Sequence, residues 1–447
     1  MDNRPNVIVF FTDQQRFDTL GVHGNPLDLT PNLDRIAKRA THLYNCFTCQ
    51  PVCGPARSVL QTGIHATKTG CFTNGIRLPD ESKTLAHYFK EYGYKTGYIG
   101  KWHLADENPV TEPKRGGYDY WLGADALESV SDAYDAIVYD NENKPVKLPG
   151  YRVDALTDAA IRYIDKQKDD PFFLFFSLLE PHFQNHRDDY PAPDRYVGKY
   201  TGKWMPPDLA ALKGSAHHQL DGYYGMVKSI DDAYGRLLDA LKSLDLLDNT
   251  IVLFTSDHGN HFKTRNGEYK RSGHESSIRI PAVICGPGFD GGGEVKKLVS
   301  IIDMPPTLLD AAGIPVPECM QGKSIVPIIR NGQSQWKEEV FVQISEAQVG
   351  RAVRTGRWKY IVDAPDKDPV NDSGSLNYEE EALYDLMSDP YELVNLIEME
   401  SHREVAGKMR QRLIRCMEEA GEKAPVIKEK AKKPSGQRKV LPCEVNQ

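Results

Sequence analysis

The chain has 447 residues, 40% of them hydrophobic, and a formal net charge of −8 from 55 Lys and Arg against 63 Asp and Glu. One core rarely organises so many residues, so a large domain and a smaller one are expected. The acidic balance excludes the basic footprint of a nucleic-acid binder, and no apolar run is long enough for a membrane span.

The opening Met1-Asp2-Asn3-Arg4-Pro5 lacks signal-peptide architecture, so a cytoplasmic location and eight free thiols are the expectation. The apolar run at 7–11 reads as a buried strand and ends abruptly in Thr12-Asp13-Gln14. Next comes Cys49-Gln-Pro-Val-Cys53-Gly-Pro-Ala-Arg57. Pro55 suits the first turn of a helix, and Cys53 would sit just before that helix, facing its positive end, where a nucleophile is activated. Arg57 lies one turn on and points to the same place. A buried structural cysteine, or a Cys49–Cys53 disulfide or metal pair, fits this spacing as well.

Leu85, Phe89 and Tyr92 share one helical face. A second apolar run, 96–99, leads to Lys101-Trp102-His103, and a third, 172–176, leads to Glu180-Pro181-His182. Val227, Ile230, Tyr234, Leu237, Leu238 and Leu241 mark another helix, and a fourth run, 251–254, leads to Ser256-Asp257-His258. Strands alternating with helices predict an α/β domain, a sheet between helices, over 1–335. From 336 to 427 short runs at 339–343, 352–354 and 358–362, then a helical pattern at 402–419, predict a small antiparallel sheet-and-helix domain. The Lys- and Pro-rich stretch 428–447 reads as a mobile tail.

Four strand ends thus carry reactive polar residues, and in an open α/β sheet ligands bind beyond the carboxyl ends of the strands. Asp13, Gln14 and Asp257 offer oxygen to a hard cation such as Ca²⁺ or Mg²⁺, and His258 adds a nitrogen that would also suit Mn²⁺. Lys101 and Lys270 are candidates for holding an anion, and His103 and His182 for moving a proton. Taken singly, an Asp at a strand end also reads as a helix cap, and a lone Lys or His as a solvated surface residue.

Cys53-x-Pro55-x-Arg57, four residues, then Thr62-Gly63 resembles the signature of the formylglycine-dependent sulfatases. Cys49 does not fit it, because Cys53 stands where the arginine is required. Thr30-Pro-Asn-Leu-Asp34, Gly97-Tyr-Ile-Gly-Lys-Trp-His103, Ser256-Asp-His-Gly259, Glu275-Ser-Ser-Ile-Arg-Ile-Pro281, Arg354-Thr-Gly-Arg-Trp-Lys-Tyr360 and Leu383-Tyr-Asp-Leu-Met-Ser-Asp-Pro390 are similar to further blocks of that family, in order.

The resemblance implies an alkaline-phosphatase-like, mostly parallel central sheet with a small C-terminal domain. It implies a Cys53 oxidised by a formylglycine-generating enzyme and hydrated to a geminal diol. It also implies one divalent cation, Ca²⁺ first, on Asp13, Gln14, Asp257, His258 and the converted Cys53. Arg57 would orient the diol, Lys101 and Lys270 hold the sulfate, His182 protonate the leaving alcohol and His103 assist release. The substrate expected is a small-molecule or oligosaccharide sulfate ester. Polar and aromatic residues in the insertions, among them His65, Asn74, His186, Arg187, Arg265 and His274, point toward a sugar, although each taken singly also reads as a solvated loop residue. One departure is Gln14, where many sulfatases carry a second acid. Asp13-Gln-Gln-Arg16 also looks like the phosphonate monoester hydrolases, so a phosphonate monoester or phosphodiester is the alternative substrate.

Overall fold

The computed structural model describes residues 4–331, 335–434 and 440–445. In chain order, β1 (Asn6–Thr12), β2 (Thr41–Phe47), β3 (Lys95–Lys101), β4 (Tyr120–Ala124), β5 (Ala136–Tyr139) and β6 (Pro145–Leu148) enter one large sheet. β7 (Phe172–Ser177), β8 (Thr250–Ser256), β9 (Arg279–Ile280), β10 (Ala282–Cys285) and β11 (Gly293–Ser300) complete it. The strand order is β11-β2-β10-β8-β1-β7-β3-β4-β5-β6, with β9 beside β2. β8, β1, β7, β3 and β4 are parallel, whereas β10 runs antiparallel to both β8 and β2. The sheet is therefore mostly parallel, as expected.

Every residue of β1, β7 and β8 is buried, which is why these strands read as unbroken apolar runs rather than alternating ones. The pleat divides them between two cores. Val7, Val9 and Phe11 face the helices Cys53–Thr62, Leu85–Glu91 and Met304–Ala311. Ile8 and Phe10 face Arg152–Gln167 and Ala216–Ser243. Tyr92, expected on the Leu85 face, lies just past that helix and is 42% exposed. Where β3 meets β7, Gly100 has φ +109°, and a Cβ there would lie 1.8 Å from the Ser177 carbonyl oxygen. Only glycine allows the end of β3 to approach β7 so closely.

The smaller sheet follows as β12 (Glu339–Ile344), β13 (Gly350–Thr355), β14 (Trp358–Asp363), β15 (Asn377–Asp385) and β16 (Val426–Lys428). It is antiparallel except for β16, which pairs parallel with β15, and the helix Arg403–Ala420 packs on it. The stretch read as a mobile tail departs from that expectation where it is described. Lys433 bridges to Met399, Lys432 pairs with Glu380, and Val440 and Val445 are buried with Trp358 and Leu413. Residues 435–439 and 446–447 lie outside the described residues. No helix of the described residues is long and apolar enough to cross a membrane, and the eight cysteines form no disulfide among themselves.

The two sheets share a core in which Phe47, Ile278 and Leu298 pack against Val340, Val342 and Ile361. A buried ion cluster crosses the same boundary, with Lys359 2.7 Å from both Glu275 and Glu392.

Candidate active site

Because β8, β1, β7 and β3 are parallel neighbours, their carboxyl ends open on one edge. Asp13 and Gln14 leave β1, Asp257 and His258 leave β8, Lys101 ends β3, and His182 follows β7. Cys53 is brought to the same edge as the first residue of the helix Cys53–Thr62, one position inside the helix rather than just before it. Asp13, Cys53, Asp257 and His258 each offer a ligand atom, and those atoms lie within 4.8 Å of one another.

The Cys53 Sγ is ringed by polar atoms. Lys270 Nζ donates to it at 2.7 Å, His258 Nε2 lies at 3.3 Å and Asp13 Oδ1 at 3.5 Å. The His258 Nδ1 faces the Gly259 carbonyl at 2.9 Å, which commits Nε2 to the site. Arg57 donates to Asp13 Oδ2 at 2.9 Å and to Ser177 Oγ and the Lys101 carbonyl behind it. Lys101 Nζ sits between Asp13, at 2.8 Å, and Glu128, at 3.0 Å. Lys270 also meets His182 Nε2 at 3.2 Å, while His182 Nδ1 faces the Phe183 carbonyl at 2.7 Å. His103 follows β3 on a backbone with φ 60°, and it adds to the groups that lower the Cys53 thiol.

All of the predicted site residues therefore converge. The chain keeps the helix start open by placing glycine at 54: a Cβ there would meet the Asn74 side chain at 3.1 Å and the His103 carbonyl at 3.2 Å.

The electrostatics favour negative charge at position 53. Burial pushes the Cys53 thiol up, but Lys101, Lys270 and His258 outweigh it and hold it well below the usual thiol range. Burial and the Cys53 charge push Asp13 up, while Lys101, His182 and Arg57 bring it below the usual carboxylate range. Asp257 is pushed up to about 7, by burial first and then by the neighbouring Asp13. Two buried carboxylates so close do not both ionise readily unless a cation joins them.

Other observations fit such a cation. Gln14 Oε1 and Asp257 Oδ2 are buried without a hydrogen-bond partner, an orphaned pair that native structures rarely tolerate. The Gln14 amide nitrogen is held by Tyr190 at 3.2 Å, which leaves its oxygen for the site. The donors are carboxylate, amide oxygen and imidazole, a set suited to a hard divalent ion.

A pH dependence follows. Between the ordinary carboxylate value and about 7, the folded cation-free protein holds a proton on Asp257 that the unfolded chain has lost. Its stability therefore falls as pH rises through that window. A divalent cation held by these residues would take the place of that proton. The rise in melting temperature induced by a divalent cation is expected to be larger at pH 8 than at pH 6; an equal or smaller rise at pH 8 would contradict the assignment.

Sequence reasoning missed several neighbours. Glu128, in the four-residue helix Leu127–Val130, carries no periodic signal yet reaches Lys101. Glu346, in the loop between β12 and β13, accepts from the Asn74 backbone N–H at 2.6 Å and pairs with Arg271 at 2.6 Å. Asn74 in turn accepts from the Gly54 N–H at 2.9 Å. Of the residues expected at a sugar-binding rim, Asn74 lies beside the nucleophile helix, and His186 and Arg187 are exposed near Asp132. His65 packs against Phe341, His274 bonds toward Tyr384 and Arg265 holds the Tyr391 and Glu392 carbonyls. Those three belong to the interface between the sheets instead. Arg16 is spent on Asp18 and Asp208, at 2.6 and 2.9 Å, and is buried.

Four residues that could hold a cation, a cysteine in a basic pocket and a lysine–histidine pair at the edge of an α/β sheet suit a metal-assisted ester hydrolase. The sulfatase family model matches residues 5–314, and the model of the N-sulphoglucosamine sulphohydrolase C-terminal region matches 267–419. The chain belongs to the sulfatase family and hydrolyses sulfate esters. It is 32% identical to the ulvan-active sulfatase of Formosa agariphila, over 94% of this chain and 82% of that protein. It is 26% identical to the N-acetylglucosamine-6-O-sulfatase of Bacteroides thetaiotaomicron, over 88% and 82% respectively. The crystal structure of yidJ from Bacteroides fragilis superposes with a TM-score of 0.83 at 25% identity, covering 94% of this chain and 97% of that one. Family membership implies a metal ion and a formylglycine, and the Asp13, Cys53, Asp257 and His258 cluster is where they fit.

Proposed function

We propose that the chain removes sulfate from a sulfated carbohydrate, using a formylglycine made from Cys53 by a formylglycine-generating enzyme and one Ca²⁺ ion. The observation that carries this reading is the position of Cys53 Sγ, within hydrogen-bonding reach of Asp13, His258 and Lys270 at once.

Asp13, Gln14, Asp257 and His258 would hold the cation, which when bound supplies positive charge to the nucleophile and to the sulfate oxygens. A hydrated formylglycine at 53 supplies two hydroxyls on one carbon, one to attack sulfur and one to release the sulfate afterwards. Lys101 and Lys270 face the space beside Cys53 and would hold the sulfate oxygens as charge shifts toward the leaving oxygen. Arg57, fixed by Asp13 and Ser177, orients the residue at 53. His182 and Lys270 share a hydrogen bond between Nε2 and Nζ, so a proton for the leaving oxygen is available from this pair. His103 takes the proton given up in the release step.

The sugar reading is supported by the names of the two relatives, one acting on ulvan and one on N-acetylglucosamine-6-sulfate. The phosphorus alternative rested on Gln14 and Arg16, and Arg16 is engaged away from the site by Asp18 and Asp208. The test is a screen of sulfated mono- and disaccharides, an aryl sulfate, a phosphonate monoester and a phosphodiester. Sulfate release from a sugar is expected, lost on chelation and restored by Ca²⁺. Faster cleavage of a phosphorus ester than of every sulfate would overturn the assignment.

A further inference from the structure

Glu128 is a carboxylate where an anionic substrate would not call for one. Its residue is 7% exposed, and its Oε1 lies 3.0 Å from Lys101 Nζ. Its Oε2 is buried and has no hydrogen-bond partner. Burial pushes its carboxyl up and the Cys53 charge adds to that, but Lys101, then His103 and His182, outweigh them and bring it down to about 2. The His103 N–H donates to the Asp125 carbonyl, and Gln184, two residues after His182, donates to the Glu128 carbonyl, so the segment that carries Glu128 is tied to the segments of both histidines.

The position is built rather than incidental. Gln184 Nε2 donates to the Glu128 carbonyl at 3.0 Å and to the Ser131 carbonyl at 2.9 Å, pinning the short helix at both ends. Gln184 is in turn contacted by Arg152, itself ion-paired with Glu180 at 2.8 Å with both side chains fully buried. A buried anionic oxygen left without a donor is costly, and the pairing with Lys101 satisfies only the other oxygen.

We propose that Glu128 is a specificity-determining residue whose Oε2 accepts a hydrogen bond from a hydroxyl on the carbon next to the sulfate ester. This rests on the sugar reading above and narrows it. The preferred substrate has a free hydroxyl beside its ester, and a neighbouring carboxylate or second sulfate is repelled by the same charge.

The experiment compares the wild type with Glu128→Ala and Glu128→Gln on three probes. These are p-nitrophenyl sulfate, the methyl glycoside monosulfate that the wild type turns over best, and its deoxy analogue lacking the hydroxyl beside the ester. Loss of Lys101 positioning would lower kcat/KM on all three alike, so the ratio of hydroxyl to deoxy substrate isolates the proposed contact. A bond to a charged acceptor predicts a wild-type ratio of roughly tenfold or more. The ratio should fall to near one in Glu128→Ala and partly in Glu128→Gln, which keeps an acceptor oxygen without the charge. A wild-type ratio near one, or a ratio unchanged in the variants, overturns the donor contact while leaving the sugar reading in place. If Glu128→Ala does not fold, Glu128→Gln decides. Cleavage of p-nitrophenyl sulfate with no sugar sulfate turned over by the wild type would overturn both.

Discussion

Cys53→Ala is expected to lower turnover by at least about four orders of magnitude, as removal of a covalent nucleophile does, with little change in melting temperature. The chemistry has no substitute at that position. Of the hydroxyls around the cluster, the Ser177 Oγ is committed to Arg57 and the Lys101 carbonyl, and the Ser256 Oγ to the Thr12 and His258 carbonyls. The fold should tolerate the change, because Cys53 begins its helix rather than filling the core beneath it. Its Sγ touches ionisable groups, whose mutual pairing of Asp13 with Arg57 and Lys101 remains. Cys53→Ser is the sharper companion. A single hydroxyl can attack but offers no second oxygen to expel the sulfate, so one sulfation without turnover is expected. Retained turnover in Cys53→Ala would refute the nucleophile assignment; a collapse in thermal stability would show that the side chain is structural.

Lys270→Ala is expected to lower kcat by about 10²- to 10⁴-fold, the range for losing a positioned proton donor and an oxyanion contact. Lys270 Nζ is 2.7 Å from Cys53 Sγ and 3.2 Å from His182 Nε2, so it touches the proposed nucleophile and the proposed proton donor at the same time. An interaction made mainly in the transition state shows in kcat, whereas one that only anchors the ground state shows in KM. Steady-state kinetics on an aryl sulfate separates these. A rise in KM with kcat unchanged would reduce Lys270 to a sulfate anchor. Because an aryl leaving group needs less protonation than a sugar alcohol, the loss should be larger on a sugar sulfate.

Most of this site was legible in the chain because it is written at strand ends. The runs at β1, β3, β7 and β8 are buried on both faces, so they stand out as apolar, and the polar residues after them are conspicuous. Asp13, Lys101, His182 and Asp257 converge because those four strands are parallel neighbours. β2 and β10 were harder to see. β2 carries Thr41, His42 and Asn45 among its apolar residues, and β10 is only four residues long.

Glu128 and Glu346 were invisible for a different reason. A carboxylate on a four-residue helix, or on a loop of the smaller sheet, has no local pattern that distinguishes it from a solvated surface residue. The same ambiguity misled in the other direction for His65, Arg265 and His274, which are polar yet serve the interface between the sheets. Residue type shows what chemistry is available, and only the packing shows where it points. The C-terminal stretch repeats the lesson: a Lys- and Pro-rich composition still delivers Val440 and Val445 to a core.

The most direct test of an aldehyde nucleophile at position 53 is the mass of the peptide that contains it, measured alongside specific activity. Protein made with and without a formylglycine-generating enzyme should differ in the fraction of Cys53 converted to the aldehyde, and specific activity should rise in proportion to that fraction, extrapolating to none at zero conversion. Equal activity from fully unconverted thiol protein would contradict the account.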